Sequence, residues 1–400
     1  MDAAGIPLSA AATTGASAAS GERFDVAVVG SGIIGLGAAL AANARGLRVV
    51  VIERGSEPTG ASIRNFGHLC ITPQHGLARE FALASREIWL KLAAEAGVWV
   101  RESGTLVAAR HADELAVLEE FAGMRGDEVA LLTAEQVDEA LPIAPGAAVG
   151  GAFLPMDLQA NPRQAVTAVA AYLARNGVEF RWRTAVGAVH PGRVETSRGP
   201  VHADEIVVAT NHDLDLLYPE LAERHGIERC GLDMLRVSAR LSRPLVAPLL
   251  TGWSLVRYGA FSATDAAAAL KRRLQAEDPV LAALDLNQMY TQLPDGSLIV
   301  GDTHYRGTSI APFQDETAFE SLLAVTRELF GLAELRVIER WQGVYASGPE
   351  DFLIERPEPG VSVIAATTGI GMTTGLGLAE HVVAGLTGER ATTTALKGIA

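Results

Sequence analysis

Residues 24–54 read FDVAVVGSGIIGLGAALAANARGLRVVVIER, and this stretch combines two apolar runs with three closely spaced glycines. The runs are rich in β-branched residues, as buried parallel strands are. Between them, Gly30 permits a tight turn, Gly32 lets the backbone approach a pyrophosphate, and Gly35 lets a helix pack closely on the first strand. The order of these parts predicts a βαβ unit that binds a dinucleotide.

The second run ends at Glu53, which lies 53 − 35 = 18 residues past Gly35. A carboxylate at this point accepts hydrogen bonds from ribose hydroxyls, while the helix N-terminus presents N–H groups to the phosphates. The acidic residue Glu53 disfavours a phosphate at the ribose 2′ position, and NADP carries such a phosphate. It does not distinguish NAD from FAD, because both carry an adenosine ribose.

A second glycine-rich turn, in residues 361–386 (VSVIAATTGIGMTTGLGLAEHVVAGL), distinguishes FAD from NAD. The pattern is again strand, turn and helix. A flavoprotein needs such a turn because the isoalloxazine ring lies far from the adenosine, and N–H groups at a helix start stabilise reduced flavin. An NAD dehydrogenase of the usual kind has no such need, so the pair of turns predicts FAD.

Composition excludes several classes of function. The net charge of 33 − 47 = −14 argues against a general nucleic-acid or anionic-membrane surface. The two cysteines, Cys70 and Cys230, are too few for a disulfide framework or a zinc site and fit a reducing cytoplasm. No apolar run approaches the roughly 20 residues that span a bilayer. We therefore expect a cytoplasmic protein without a metal site, and residues 1–21, rich in Ala, Ser, Thr and Gly, as a disordered leader.

Between the two turns the hydrophobic pattern changes along the chain. Residues 77–97 and the segment from Pro162 to Arg175 have helical periodicity, and 112–140 suggests two short helices. The antiparallel sheet that we expect within 231–335 has predicted strands at 235–241, 255–261, 288–293 and 297–301, with predicted helices at 264–275 and 315–330.

Five motifs together resemble the FAD-dependent D-amino-acid oxidase / glycine oxidase / sarcosine oxidase superfamily: VVGSGIIGLGAAL with Glu53 and Arg54, GASIRNFGH, NPRQAVTAVAAYLARNGVEF, EIVVATN and IAATTGIGMTTGLGLAE. The resemblance implies an α/β fold with a Rossmann-like FAD-binding domain built from discontinuous segments, plus an α+β substrate domain with an antiparallel sheet. The implied boundaries are 22–76, 150–230 and 336–400 for the FAD-binding domain, 77–149 for a cap segment and 231–335 for the substrate domain.

The resemblance also implies which residues hold FAD. The implied positions are Gly30, Ser31, Gly32, Ile33, Ile34, Gly35, Glu53, Arg54, Ser62, Arg64, Asn65, Gly67, His68, Val186, Thr210, Gly371, Met372, Thr373 and Thr374. No cysteine lies near the C-terminal turn for a covalent link, so we expect non-covalent FAD.

A narrower resemblance rests on SIRNFGH, MLR, GDTHYRG and RWQGVYAS, which look like the oxidoreductase subgroup associated with phosphonate breakdown. Two departures from the amino-acid oxidases accompany it. Tyr345 stands where those enzymes carry an Arg for the substrate carboxylate. The strand SLIVG lacks the Lys that sarcosine-oxidase-like enzymes use for oxygen.

The candidate substrate residues follow from this chemistry. A phosphonate favours bidentate Arg partners, for which Arg64, Arg236 and Arg306 are candidates. An alternative for Arg236 is an outward-facing strand charge. Tyr258, Tyr290, Trp341 and Tyr345 are candidate pocket walls, although each alone is more typical of a core or an interface.

The catalytic candidates are His68, His304 and Tyr345. His68 either assists in removing the amine proton or makes a loop hydrogen bond. His304 either forms an oriented pair with Asp302 or lies in a surface turn. Cys70 is interpreted as a small packed residue.

The reaction that we expect is oxidation of a small amine by hydride transfer to flavin N5 followed by imine hydrolysis. The substrate hypothesis is 2-aminoethylphosphonate or its N-methyl form, giving phosphonoacetaldehyde, with oxygen or another acceptor reoxidising the flavin. The alternatives are an amino-acid oxidase or dehydrogenase whose carboxylate is held by a different Arg, and a non-catalytic flavin-bound subunit. The sequence leaves the oligomeric state open.

Overall fold

The computed structural model describes residues 23–389. The expected leader at 1–21 lies outside these residues. A large mixed sheet of 15 strands runs through the described chain, and a small antiparallel sheet of three strands lies beside it. This α/β architecture confirms the predicted fold class.

The strands are β1 (Arg23–Val29), β2 (Val49–Ile52), β3 (His68–Leu69), β4 (Val100–Arg101), β5 (Thr105–Ala109), β6 (Ala130–Thr133), β7 (Gly150–Leu154), β8 (Leu158–Ala160), β9 (Glu179–Arg181), β10 (Val186–His190), β11 (Arg193–Thr196), β12 (Val201–Val208), β13 (Glu228–Ser238), β14 (Leu249–Leu250), β15 (Met289–Gln292), β16 (Leu298–Gly307), β17 (Arg336–Glu358) and β18 (Val361–Thr368). The helices are α1 (Ile33–Ala44), α2 (Gly76–Ala96), α3 (Ala112–Arg125), α4 (Ala134–Ala140), α5 (Pro162–Arg175), α6 (Pro219–Arg224), α7 (Gly252–Leu255), α8 (Gly259–Ser262), α9 (Asp265–Glu277), α10 (Pro279–Ala283), α11 (Glu316–Phe330) and α12 (Gly371–Leu386).

The large sheet has a parallel part and an antiparallel part. The order β18-β12-β1-β2-β9 is parallel throughout, as a Rossmann-like sheet requires. Next to β18, the long strand β17 pairs antiparallel with both β18 and β13, and β16 and β15 continue the antiparallel part. The small sheet has the order β3-β8-β4. A single strand, β17, therefore connects the two parts of the large sheet.

The glycine turn after β1 has the predicted geometry. Gly30 has φ +102°, and a Cβ there would lie 2.6 Å from the Ala209 carbonyl oxygen. A Cβ at Gly35 would lie 2.0 Å from the Gly30 carbonyl oxygen, so only glycine allows α1 to start so close to β1.

The second predicted turn, between β18 and α12, is also present, and its helix packs against α1 and α2. Trp89 of α2 is fully buried and donates a hydrogen bond from Nε1 to the Met372 carbonyl (3.1 Å). A Cβ at Gly377 would lie 2.2 Å from the Phe81 carbonyl oxygen of α2. An apolar core between these helices and the parallel strands holds the two glycine turns side by side.

Two predicted segments differ from the structure. Residues 255–261 are not a strand but the helical turns α7 and α8. Ser254 donates a hydrogen bond to Asn287 Oδ1 (2.8 Å) and Thr251 donates one to the Gln288 carbonyl (2.9 Å), and these bonds fold the segment against the chain that enters β15. The region 112–140 contains the edge strand β6 between its helices, and the exposed side chains of β6 obscure its pattern.

Candidate active site

One cavity of about 830 Å³ joins the two glycine turns to the ends of the antiparallel strands. Gly30 and Glu53 lie at one end, Gly371 borders the middle, and Asp302 and Tyr345 lie at the other end. A volume in this range is typical of a ligand or cofactor site.

The end near Gly30, called the dinucleotide end, has polar groups directed into the cavity. Glu53 accepts hydrogen bonds from the Ser31 N–H (2.9 Å) and hydroxyl (2.7 Å) through Oε2 and from the Gly55 N–H through Oε1. The Ser62 hydroxyl accepts a hydrogen bond from the N–H of Ile33 at the start of α1 (3.0 Å). The carboxylate therefore lies directly beside the glycine turn, and its contact with a ribose stays a prediction.

Thr210 provides the clearest test of whether this end fits a dinucleotide. Its hydroxyl is buried at the cavity and has no hydrogen-bond partner among residues 23–389. A buried hydroxyl without a partner is costly, and a bound phosphate would supply the missing acceptor. Together with the glycine turn and Glu53, this donor fits the pyrophosphate of FAD.

The other predicted cofactor residues divide into two groups. Ile34, Arg54, Arg64, Asn65, Val186, Gly371 and Met372 also line the cavity. Gly35, Gly67, Thr373 and Thr374 lie behind the wall, where they position it. For example, the Thr373 hydroxyl accepts a hydrogen bond from the Cys70 N–H (3.1 Å), and the Thr374 hydroxyl donates one to the Ile370 carbonyl (2.9 Å).

His68 is not at the cavity wall, contrary to its predicted flavin contact and catalytic role. It is buried in the small sheet, with Nε2 2.6 Å from the Thr105 hydroxyl and 3.7 Å from Asp157 Oδ2. The alternative, a hydrogen bond within the loop, does not describe this geometry either, because the Thr105 hydroxyl lies on β5. Cys70 is packed nearby, as expected, and burial raises the pKa of its thiol. Because His68, Cys70 and Asp157 have ligand-type atoms within 4.8 Å of one another, the absence of a metal site stays a prediction.

The opposite end, called the substrate end, has a concentration of polar side chains. Arg257 lies between α7 and α8 and forms an ion pair with Asp285 Oδ1 (2.9 Å). Arg306 of β16 pairs with Asp285 Oδ2 at the same distance. Arg257 lines the cavity, whereas Asp285 and Arg306 are not among its lining residues.

Asp302 and His304 lie on β16 beside this ion pair and both line the cavity. Asn287 donates a hydrogen bond to Asp302 Oδ1 (3.1 Å), and His304 Nε2 lies 3.4 Å from Asp302 Oδ2. Burial raises the pKa of Asp302 to about 7, although Arg257 acts in the opposite direction. Burial, and secondly Arg257, hold the pKa of His304 well below its usual range.

Tyr258 and Tyr345 complete the wall of the substrate end. Burial raises the pKa of both phenols, so both are neutral donors at ordinary pH. Arg64 also lines the cavity, and its guanidinium donates a hydrogen bond to the Gln342 carbonyl (3.1 Å).

Three predicted substrate residues lie elsewhere. Arg236 is paired with Asp295 and with Glu339 (3.0 Å) on the outer face of β13, as the outward-charge alternative described. Trp341 donates a hydrogen bond to the Arg64 carbonyl (3.3 Å) behind the wall. Tyr290 is fully buried against Phe330 in the core.

The sequence interpretation missed Arg257, Asp285 and Asn287. Arg257 was hidden in a segment that resembles a strand, SLVRYGAF, and Asp285 and Asn287 precede the predicted strand at 288–293. The only sequence signal was a single Arg among apolar neighbours.

Comparisons with known proteins concern the family and the fold of the chain. A family model described as FAD dependent oxidoreductase matches residues 25–384. A glycine oxidase from Geobacillus kaustophilus is similar in structure, with 21% identity, coverage of 93% of this chain and 96% of that chain, and a TM-score of 0.75. L-proline dehydrogenase from P. horikoshii has 20% identity, 92% and 94% coverage and a TM-score of 0.75.

Iminodiacetate oxidase from Chelativorans sp. BNC1 has 19% identity, 91% and 95% coverage and a TM-score of 0.71. At these identities the similarity shows a shared fold. No curated protein matches the chain in sequence. Within residues 23–389, none of the helices is both long enough and apolar enough to cross a bilayer.

Proposed function

Because the chain belongs to the FAD dependent oxidoreductase family, we propose that it oxidises the C–N bond of a small amine that also carries an anionic group. The specific substrate that we propose is an aminophosphonate, 2-aminoethylphosphonate or its N-methyl form. FAD, once bound, supplies the acceptor for a hydride from the carbon next to nitrogen. The products are then the reduced cofactor and an imine, which water hydrolyses to phosphonoacetaldehyde.

The observation that carries this proposal is the guanidinium of Arg257 at the cavity wall. Amino-acid oxidases of the superfamily hold a carboxylate with an Arg at the position of Tyr345. In this chain the Arg at the cavity wall is Arg257, which lies on the segment between α7 and α8. A guanidinium offers paired N–H donors that match a carboxylate or a phosphonate. Arg64, on the loop before β3, is a second donor on the same wall.

Charge favours the phosphonate over a carboxylate. Arg257 and Arg306 share one carboxylate, Asp285, which leaves one positive charge, and the neighbouring Asp302 offsets this charge whenever its carboxyl group is ionised. Arg64 adds a further positive charge to the wall. A phosphonate carries close to two negative charges and therefore gains more from this surplus than a carboxylate does.

Orientation follows from the same placement. The anionic end of the substrate binds Arg257, and the nitrogen lies toward Asp302 and Tyr345, which line the same end of the cavity. The carbon next to nitrogen is then held toward the turn at Gly371 and Met372, where the flavin ring would lie. We infer that FAD is held without a covalent bond, because the segment 369–377 contains no cysteine.

An amino acid is the second candidate, because Arg257 can also bind a carboxylate. Anaerobic mixing of the purified flavoprotein with a panel of amines separates the two. The panel contains 2-aminoethylphosphonate, its N-methyl form, glycine, sarcosine and D-alanine, with ethylamine as the control without an anion. We expect the aminophosphonates to bleach the flavin fastest and ethylamine slowest.

Faster bleaching by glycine or D-alanine than by either aminophosphonate would replace the first candidate with the second. The absence of bleaching by every amine would contradict the proposed reaction and favour a non-catalytic flavoprotein. Repeating the active reactions with air admitted shows whether oxygen or another acceptor reoxidises the flavin.

A further inference from the structure

The Asp302 and His304 side chains face each other with hydrogen-bonding groups of the same kind. His304 Nδ1 lies 2.9 Å from the Asp285 carbonyl oxygen. A carbonyl only accepts hydrogen bonds, so Nδ1 carries the ring proton of the neutral imidazole. Nε2 consequently carries the lone pair of the ring, and it lies 3.4 Å from Asp302 Oδ2.

An ionised Asp302 also presents only lone pairs to His304. Two acceptors in a buried site are stabilised by one proton between them, held on Oδ2 or on Nε2. Asn287 Nδ2 donates to the other carboxylate oxygen, which leaves Oδ2 as the oxygen for this proton. Both residues are more than nine-tenths buried and line the cavity.

We propose that Asp302 and His304 together are the proton acceptor of the reaction, with a place for one proton that they take from the substrate ammonium group. This proposal rests on the proposed amine oxidation and names the residues that prepare the amine for it. The reason for such a group is chemical, because small amines are protonated in neutral water and an ammonium nitrogen has no lone pair to form a C=N bond.

The step balances as follows. One N–H bond of R–CH2–NH3⁺ breaks and leaves its electron pair on nitrogen, and the proton forms a bond to Asp302 Oδ2, shared with His304 Nε2. The neutral amine can then form the C=N bond as the neighbouring C–H bond breaks and its electron pair leaves as hydride. The amine loses two electrons and the cofactor gains them, and the proton on the pair returns to water after the product leaves.

Charged and titratable groups from every adjacent element face this pair. They are Arg257, Tyr258, Asp285, Cys230, Arg306 and Tyr345. The two arginines oppose proton uptake, and Asp285 favours it. When the phosphonate binds Arg257, it offsets part of the positive charge near the pair and makes the pair a stronger base at the moment when the ammonium arrives.

The test is the pH dependence of anaerobic flavin reduction in the wild type and in Asp302→Asn. The amide has nearly the same shape but cannot take a proton. At about pH 7 we expect reduction of the variant to be roughly 10²-fold slower, within the usual range for an acid–base group. The variant rate should then rise about tenfold per pH unit, because only amine already deprotonated in water reacts. A variant profile parallel to that of the wild type would overturn the proposal.

A second measurement does not depend on turnover. Infrared difference spectra of the resting holoenzyme, recorded across a pH titration, should contain the carbonyl stretch of a protonated buried carboxylic acid. This band should disappear in Asp302→Asn and shift in His304→Gln, while Asp127→Asn, a change at an exposed residue that does not line the cavity, should leave it intact. A titrating band that persists in Asp302→Asn, or no such band in the wild type, would overturn the proposal.

The two measurements separate this proposal from the proposed function. If no amine reduces the wild-type flavin, the function fails, and the infrared titration still tests the pair. If amines reduce the wild type and Asp302→Asn alters the rate equally at every pH, the function stands and the proton-acceptor role is wrong. Flavin content and circular dichroism of each variant show whether it has folded.

Discussion

The two ends of the cavity differ in which atoms form the wall. At the dinucleotide end, the wall includes one continuous stretch of backbone, the turn from Gly30 to the start of α1, and Glu53 follows directly after the next strand, β2. At the substrate end, side chains from four separate places, Arg257, Asn287, Asp302 with His304, and Tyr345, form it. Where backbone groups form the wall, an added side-chain atom collides with them. Where buried polar side chains form it, the wall can bind a particular chemical group, but the burial of those side chains lowers the stability of the fold.

Gly30→Ala should have the largest effect. The new Cβ would lie 2.6 Å from a backbone oxygen, at φ +102° where L residues are strained. We expect a loss of most bound flavin and a decrease of more than about 3 kcal/mol in the free energy of unfolding. The flavin-to-protein absorbance ratio and denaturant unfolding measure these effects.

Gly46→Ala is the matched control, since Gly46 also has positive φ (+74°) but has open space around its Cβ position. Its cost should be about 1 kcal/mol, with flavin retained. Equal losses in the two variants would mean that conformational strain, not the close approach of the backbone, controls the dinucleotide end.

Asp302→Asn should have the opposite effect on stability. The folded pKa of about 7 lies above the ordinary 3.8, so the folded protein binds a proton that the unfolded chain releases between these values. Stability therefore falls as pH rises through this window, and above about pH 7 the wild type carries the full penalty. The amide of the variant removes the cost of burying an ionised carboxylate. We therefore expect the free energy of unfolding of the variant to exceed that of the wild type by on the order of 2–4 kcal/mol at about pH 8. At about pH 3 the two proteins should be nearly equal in stability.

Thermal unfolding of the holoenzymes at the two pH values measures this difference. A variant that is less stable than the wild type at the higher pH would show that Asp302 contributes to the fold. The stated contrast between the two ends of the cavity would then be wrong.

Arg257→Met should weaken substrate binding while the fold remains intact, because Asp285 keeps its pair with Arg306. Hydrogen bonds to charged groups are worth about 1.5–3 kcal/mol, so the KM for the anionic amine should rise roughly 10- to 100-fold. Ethylamine, which has no anion, should be oxidised as slowly as before.

Arg236→Met examines one of the three Arg candidates that the sequence offered for the anion site. Because Arg236 is paired on the outer face of β13, its KM should stay within about twofold of the wild type, as for most surface changes. A larger increase in KM for Arg236→Met than for Arg257→Met would contradict the assignment of the anion site to the segment between α7 and α8.

Among the changes to residues that line the cavity, Thr210→Val should have the smallest effect. It removes a hydroxyl that has no partner within residues 23–389 and is available to a phosphate. FAD affinity, measured by flavin fluorescence quenching, should fall roughly fivefold, the equivalent of about 1 kcal/mol. Thr387→Val, at the far end of α12, should leave it unchanged, and an equal decrease in both variants would remove Thr210 from the cofactor site.

The sequence alone determined the dinucleotide end. Gly30, Gly32, Gly35 and Glu53 lie within one short segment, and each is required by a local constraint of backbone geometry, so their spacing carries the prediction. The second turn, at Gly371, could be predicted from the sequence for the same reason, and the two turns together were sufficient to predict FAD.

Only the tertiary structure decided the substrate end. Arg257, Asn287 and Tyr345 are far apart in the chain and meet because β13, β15, β16 and β17 pair in one sheet and α7 packs against it. No local pattern distinguishes an inward Arg from an outward one, and this is why Arg236 was an equally good candidate until the strand faces were known. Side-chain chemistry assembled over long sequence separations depends on strand register and on the faces that it buries.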